Sequence, residues 1–265
     1  PTMHFPDYPF SPQRFQVRPG IEMSYLDEGP RDGEVVVMLH GNPSWSYYWR
    51  KLVSGLSDRW RCIVPDHVGM GLSDKPGDEA YAYTLASRIE DLAALLDHLG
   101  IAGKVTLAVH DWGGMIGFGW ALRDPSRVAR LVILNTAAFP LPAEKPMPWQ
   151  LRLGRDSRLG ALAIRGFNAF SSAASFVGVE TRMPSDVRAA YVAPYDSWAN
   201  RIATLRFVQD IPLGPDDRAW PIVEESGRRL HEFADRPALL AWGAFRWRSG
   251  PMRCATESCW PWSNS

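Results

Sequence analysis

Unbroken apolar runs recur along the chain at residues 35–39, 62–64, 105–109, 131–134 and 238–242. Alternating apolar and polar positions would mark strands with one wet face. Continuous runs mark strands buried on both faces, as in a parallel sheet covered by helices. Between the second and third runs, Leu85, Ile89, Leu92, Leu96 and Leu99 fall at helical spacing, with Thr84 placed to cap the start and Gly100 to stop the end. The pattern predicts repeated strand–helix units. Ahead of them, residues 15–18 and 22–26 flank Pro19-Gly20 and predict an antiparallel hairpin.

The rhythm changes at Phe139. Pro140, Pro142, Pro146 and Pro148 open a block whose apolar positions recur at helical spacing around residues 149–162, 167–177, 187–195 and 198–208, with no strand-like run. The expected organisation is an α/β core over residues 1–138, an inserted helical cap over 139–215, and a return to the core over 216–243. Residues 244–265 fit neither template. They hold two of the 3 cysteines and three of the 12 tryptophans and read as an out-of-frame ending. On that reading the last strand and helix of the core are missing, and residues 238–242 form an unprotected apolar edge that favours aggregation or a partner.

Composition narrows the function class by exclusion. The 29 basic side chains balance 29 acidic ones, so the overall charge points neither to nucleic acid nor to an anionic membrane surface. Hydrophobic residues fill 46% of the 265 positions, ample for a core, and no run reaches the length of a membrane span. Pro1-Thr-Met-His-Phe5 lacks the charged and apolar regions of a signal peptide. Cys62 lies in a strand run, Cys254 and Cys259 in the tail; a cytoplasmic protein without disulfides is the expectation.

Chemistry concentrates where the third run ends. Residues 105–109 lead straight into His110-Asp111-Trp112-Gly113-Gly114, and helical spacing follows. A buried strand, a sharp turn and a helix start is the layout that lifts a nucleophile out of a parallel sheet. The apex residue is Asp111, a carboxylate, which suits displacement at a saturated carbon or opening of a strained ring through an ester intermediate. An aspartate at this place can equally be a helix N-cap. The backbone N–H of Trp112 would supply half of an oxyanion hole, and its indole N–H a further donor. Val109 stands where the general elbow has its first glycine.

The first run ends in His40-Gly41-Asn42-Pro43, at the sheet edge where open α/β folds bind ligands. There Asn42 can aim its backbone N–H and side-chain amide at developing negative charge; a plain Asn-Pro turn is the alternative. The second run leads into the loop from Asp66 to Asp74, where Asp66 and Ser73 are expected to fix a tight turn by side-chain-to-backbone hydrogen bonds.

Together, His40-Gly-Asn-Pro43, the Asp66-x-x-Gly-x-Gly-x-Ser73 loop and Val109-His-Asp-Trp-Gly-Gly114 resemble the haloalkane dehalogenase and epoxide hydrolase branch of the α/β-hydrolases, over about residues 10–243. The longer stretches 40–50, 64–76 and 134–140 are similar to the dehalogenase-like β-lactone decarboxylases of long-chain olefin biosynthesis, which turn a cis-3,4-dialkyl-oxetan-2-one into a cis-alkene and CO2. The resemblance implies an α/β-hydrolase fold, a mostly parallel sheet flanked by helices with an inserted helical cap. It implies Asp111 as nucleophile, with Asn42 and Trp112 stabilising the departing charge, and no metal or organic cofactor. It also implies a cytoplasmic protein that associates with the enzyme making the β-lactone. The cap would supply a lipophilic chamber for a hydrophobic small molecule, with Trp149, Phe167, Phe170, Phe176 and Trp198 as candidates for its lining. A haloalkane dehalogenase would use the same residues. An epoxide hydrolase would need cap tyrosines aimed at the ring oxygen, and the cap block offers Tyr191 and Tyr195. A catalytically dead binding protein is the non-enzymatic alternative.

The same family pattern places an acid after the strand ending Ala241-Trp242-Gly243 and a histidine after the last strand, to activate water against the covalent intermediate. Residues 244–249 carry no carboxylate, and the 6 histidines are His4, His40, His67, His98, His110 and His231. The sequence therefore predicts a nucleophile without its hydrolytic partners.

Overall fold

The computed structural model describes residues 4–142, 147–168, 170–171 and 182–242. β1 (Gln13–Arg18) and β2 (Ile21–Glu28) form the leading hairpin, and β3 (Glu34–Leu39), β4 (Trp60–Pro65), β5 (Val105–His110), β6 (Val128–Leu134) and β7 (Ala238–Ala241) coincide with the five apolar runs. They make one 7-stranded sheet in the order β1-β2-β4-β3-β5-β6-β7. The β1/β2 and β2/β4 pairs are antiparallel and the others parallel. This is the mostly parallel, helix-flanked sheet that the resemblance implies.

Apolar continuity does what it should in the central strands: Val37, Leu39, Ile63, Val64, Val105, Leu107 and Val109 are all buried. α2 (Leu85–His98) turns Leu85, Ile89, Leu92, Leu95 and Leu96 into the core, the Thr84 side chain accepts the Ser87 N–H, and Gly100 ends the helix at φ +65. α3 (Trp112–Ala121) lies unusually close to the sheet. A Cβ at Gly113 would stand 2.2 Å from the Leu39 carbonyl oxygen, a distance no side chain tolerates. β3 has β4 on one side and β5 on the other, which opens a crevice beyond its carboxyl end. Leu39 is paired with Val109, so His40-Gly41-Asn42 and His110-Asp111 leave the sheet side by side.

Between β6 and β7 the described elements are all helical. After α1 (Arg50–Leu56), α2 and α3 come α4 (Trp149–Asp156), α5 (Arg158–Phe167), α6 (Ser185–Val192), α7 (Ile202–Gln209) and α8 (Trp220–Arg229). Ile164 of α5 and Leu205 and Val208 of α7 form a small separate core, whereas Ala203 and Phe207 of α7 belong to the main one. α7 therefore joins the helical block to the α/β body. No described helix is long and apolar enough to cross a membrane.

β7 departs from the expectation of burial on both faces. All four of its residues are exposed, Leu239 at 60%, and the described residues place only β6 beside it. A run's composition says that a strand wants cover, not that cover is supplied. The residues on which the aberrant-ending expectation rests, 244–265, lie outside the described residues.

Candidate active site

Asp111 stands at the tip of β5 with φ +50 and ψ −126, a conformation that an L residue keeps only when its surroundings enforce it. The enforcement is visible. The Gly114 N–H donates to the Asp111 carbonyl oxygen at 2.9 Å, and the Thr136 hydroxyl donates to the same atom. The Asp111 side chain makes no capping hydrogen bond to α3, so the N-cap alternative fails. Its Oδ2 instead accepts the Asn42 N–H at 2.7 Å, across the crevice edge from the end of β3. Gly41 makes that approach possible: a Cβ there would lie 2.2 Å from Asp111 Oδ2 and 2.4 Å from its Cβ.

Asn42 has both its backbone and its side chain engaged within the protein. Its backbone N–H faces the carboxylate, and its side-chain amide donates to the Thr204 carbonyl of α7 at 3.0 Å. A buried amide takes the acceptor within reach, and this bond ties the loop to α7. The Asn42 Oδ1 is buried without a partner. Trp112 is buried, with its ring against Phe207 of α7 at 5.2 Å between centroids. Its backbone N–H belongs to the first turn of α3, whose donors have no intrahelical carbonyl.

Beneath the loop lies a buried polar layer. His40 Nδ1 is 2.8 Å from the Gly41 carbonyl oxygen, His40 Nε2 accepts the His67 N–H at 3.2 Å, and His67 Nε2 is 3.0 Å from the His40 carbonyl oxygen. The Asp66 carboxylate accepts the N–H groups of Ser46 at 2.6 Å and Leu72 at 2.9 Å, while the Ser73 hydroxyl donates to the Asp66 carbonyl at 2.6 Å. This is the loop-fixing role read from the sequence. Burial pushes His40 down to about 4 and His67 well below its ordinary value, so both rings are neutral at pH 7. His110, though adjacent to Asp111, stacks its ring on Tyr48 at 4.3 Å and leaves a buried Nδ1 without a partner. Burial lowers its pKa, opposed by the charge of Asp111. Burial, with Tyr191 and Asp111 nearby, holds the Tyr48 phenol up at about 12.

With this geometry in place, comparison with known proteins is decisive. Residues 34–245 match the family described as alpha/beta hydrolase fold. The chain belongs to that family. It is 69% identical over 246 residues to the cis-3-alkyl-4-alkyloxetan-2-one decarboxylase of Xanthomonas campestris pv. campestris, covering 91% of this chain and 82% of the relative. To the decarboxylase of the same name from Shewanella oneidensis it is 57% identical over 232 residues, covering 87% of this chain and 72% of the relative. The crystal structure of haloalkane dehalogenase from Bradyrhizobium elkani superposes with a TM-score of 0.77 at 29% identity, over 88% of this chain and 80% of the other. This α/β-hydrolase is thus a dehalogenase-like member of an enzyme family, and it groups with the decarboxylases.

The expected lining of a lipophilic chamber is corrected by the placement of its members in this α/β-hydrolase. Trp149 is 70% exposed, Phe167 77% and Trp198 50%; they sit on the outside. Helical spacing gives a face but not its direction, and here the positions of α4 and α5 buried inward include Gly154, Gly160 and Ile164 rather than the aromatic residues. Phe170 is half-buried against the small core of α5 and α7, and Phe176 lies outside the described residues. Tyr195 is buried, its hydroxyl donating to the Ser44 carbonyl at 3.1 Å and accepting the Gly71 N–H at 3.4 Å. The Tyr191 hydroxyl lies 3.4 Å from the Arg50 guanidinium, which donates to it. Tyr195 is thus committed within the protein, whereas Tyr191 accepts a hydrogen bond. Among the described residues no group of three or more His, Cys, Asp and Glu is arranged to hold a metal ion.

Proposed function

We propose that this α/β-hydrolase converts cis-3,4-dialkyl β-lactones to cis-alkenes and CO2, with Asp111 as the nucleophile. The observation that carries the reading is a carboxylate at an enforced positive φ that is not used to cap its helix and meets the Asn42 N–H at 2.7 Å. The names of the two decarboxylase relatives support the substrate class. Association with the enzyme that forms the β-lactone belongs to the same proposal, because that enzyme's product is the substrate here.

In the proposed chemistry an Asp111 carboxylate oxygen attacks the ring carbon bearing the lactone's alkoxy oxygen. That C–O bond breaks with inversion, ring strain is released, and the former acyl group becomes a free carboxylate beside the Asn42 and Trp112 N–H donors. Loss of CO2 returns the C–C bonding pair to form the double bond and expels the Asp111 carboxylate. Inversion followed by anti elimination keeps the two alkyl groups cis. Atoms balance without water: lactone enters, alkene and CO2 leave, and Asp111 is restored. Dehalogenation parts company here, because an alkyl ester left by a haloalkane is cleared only by water and a base to activate it.

Turnover of a cis-3,4-dialkyl oxetan-2-one in 18O-water tests the reading. The expected result is alkene and CO2, no 18O in the Asp111 peptide after many turnovers, and no activity in Asp111→Asn. Label in Asp111 together with a hydroxy acid product would replace the route with ester hydrolysis. Failure to see either alkene or an Asp111 adduct by intact mass would remove Asp111 from the chemistry. The likeness to the Bradyrhizobium dehalogenase favours a second reading, and halide release from a primary haloalkane by the same preparation is its test.

A further inference from the structure

Ten large apolar side chains are exposed among the described residues, and five of them, Trp149, Leu153, Leu159, Leu162 and Phe167, fall on the α4–α5 hairpin. Trp149 and Leu153 are four residues apart on α4, and Leu159 and Leu162 three apart on α5, so each pair shares a helix face. The hairpin is closed tightly on its inner side: a Cβ at Gly160 would lie 2.2 Å from the Leu153 carbonyl oxygen. Its apolar outer face is therefore not a loosely packed inner one. The patch continues sideways, since the position of Gly166 is flanked by Leu162 at 3.4 Å and the Trp198 ring at 3.8 Å.

Charge on the same hairpin is one-sided. Arg152, Arg155, Arg158 and Arg165 stand against a single acid, Asp156. Arg155 is turned inward, to the Ile211 carbonyl and Asp217. Arg158 is exposed, as is Arg152, which has Asp156 3.8 Å away, and the Arg165 guanidinium lies over the Trp198 ring at 4.5 Å. A chain with no net charge thus carries a local basic face, interleaved with Trp, Phe and Leu. That mixture is the composition of a helix lying in a lipid–water interface, where the apolar side chains enter the acyl boundary and the arginine stems reach back to the headgroups. A protein partner would also cover apolar area, but arginines with almost no acids among them match a uniformly anionic surface better than a mixed one.

We propose that the outer face of the α4–α5 hairpin seats the protein on an anionic lipid surface. The inference rests on this exposed face and not on Asp111. The proposed substrate class gives it a purpose, because a dialkyl β-lactone partitions into lipid and would reach the crevice from there.

Flotation with vesicles, without any substrate, separates this proposal from the catalytic one. The folded chain is expected to float with phosphatidylethanolamine–phosphatidylglycerol vesicles and at least about tenfold less with phosphatidylcholine alone or in about 0.5 M salt. Two variants, Trp149→Ser/Leu159→Ser/Phe167→Ser and Arg152→Glu/Arg158→Glu, change exposed side chains only. Each is expected to lower binding by at least about tenfold with an unchanged thermal melt. Absence of flotation by the folded chain overturns the proposal, as does flotation that neither variant alters. A concentration-dependent dimer that the triple variant abolishes, without vesicle binding, reassigns the face to self-association.

Discussion

A methyl group at position 41 would overlap Asp111, with contacts of 2.2 to 2.6 Å to its Oδ2, Cβ and Cγ. None of these atoms sits at the end of a long flexible chain, so Gly41→Ala must displace either the carboxylate or the loop after β3. Displacement of about 1 Å costs reacting groups about 100-fold in rate, and overpacking costs about 1–3 kcal/mol of stability. The expected variant folds, melts a few degrees lower, and forms its Asp111 adduct with a β-lactone about 100-fold more slowly, followed by intact mass. An adduct rate within about threefold of the parent would show that this contact does not position Asp111. At this scale the sequence was informative wherever one segment decides the outcome. Strand run, turn and helix start suffice to put Asp111 at an apex, and the Asp66–Ser73 loop folds on itself. The residues that hold the apex carry no such signal: Thr136 is 25 positions from Asp111, and the Thr204 carbonyl is 162 from Asn42. The acceptor of the Asn42 amide was hidden for the same reason, since it arrives from α7.

α7 closes over the crevice with Thr204 against Asn42 and Phe207 against Trp112, and its own seat is a buried arginine of α2. The Arg88 guanidinium lies 3.7 Å from the centre of the Phe207 ring, its Nη1 is 3.9 Å from Asp210 Oδ2, and none of its three nitrogens has a hydrogen-bond partner. Asp210 Oδ2 accepts the Leu85 N–H at 2.7 Å, at the start of α2. Burial lowers the pKa of Arg88 and raises that of Asp210, so each charge depends on the other. Removing one member of such a pair leaves the other uncompensated at about 3–5 kcal/mol. Arg88→Met and Asp210→Asn are each expected to lower the unfolding free energy by about 3 kcal/mol in urea, and the double variant by much less than the sum. A coupling below about 0.5 kcal/mol would mean that the pair is not what holds α7. Arg88 was within reach of the sequence: three residues after Leu85 and four before Leu92, it lies on the apolar face of α2. The outward aromatics of α4 and α5 were not, because periodicity fixes a face while only tertiary packing decides which way it looks. The same limit explains β7, whose apolar run is not matched by cover from the described residues.

Over the whole molecule, balanced charge concealed two local departures, the basic α4–α5 face and the ionisable layer under the crevice, and the second couples folding to pH. His40 is held at about 4 and His67 and His110 below their ordinary values, all chiefly by burial. In the unfolded chain each imidazole takes up a proton near pH 6.5. As the pH falls from 7.5 towards 6, the unfolded chain therefore gains protons that the native state refuses, and stability drops, by roughly 1 kcal/mol for His40 alone. Carboxyl groups act in the opposite sense at lower pH. Burial raises Asp66 to about 6, and Asp91 and Asp210 in the same direction, whereas unfolded aspartates titrate near 3.9. Below pH 6 the native state holds protons that the unfolded chain lacks, which offsets the histidines. The unfolding free energy from urea melts is thus expected to fall between pH 7.5 and 6 and to fall less steeply than the histidines alone would dictate between 6 and 4.5. Asp66→Asn keeps an acceptor for Ser46 or Leu72 but cannot take the proton, so below pH 6 that variant should lose stability more steeply than the parent. A parent curve that is flat above pH 6, or an Asp66→Asn curve that runs parallel to the parent's below it, would mean that this layer exchanges protons as freely as the unfolded chain does.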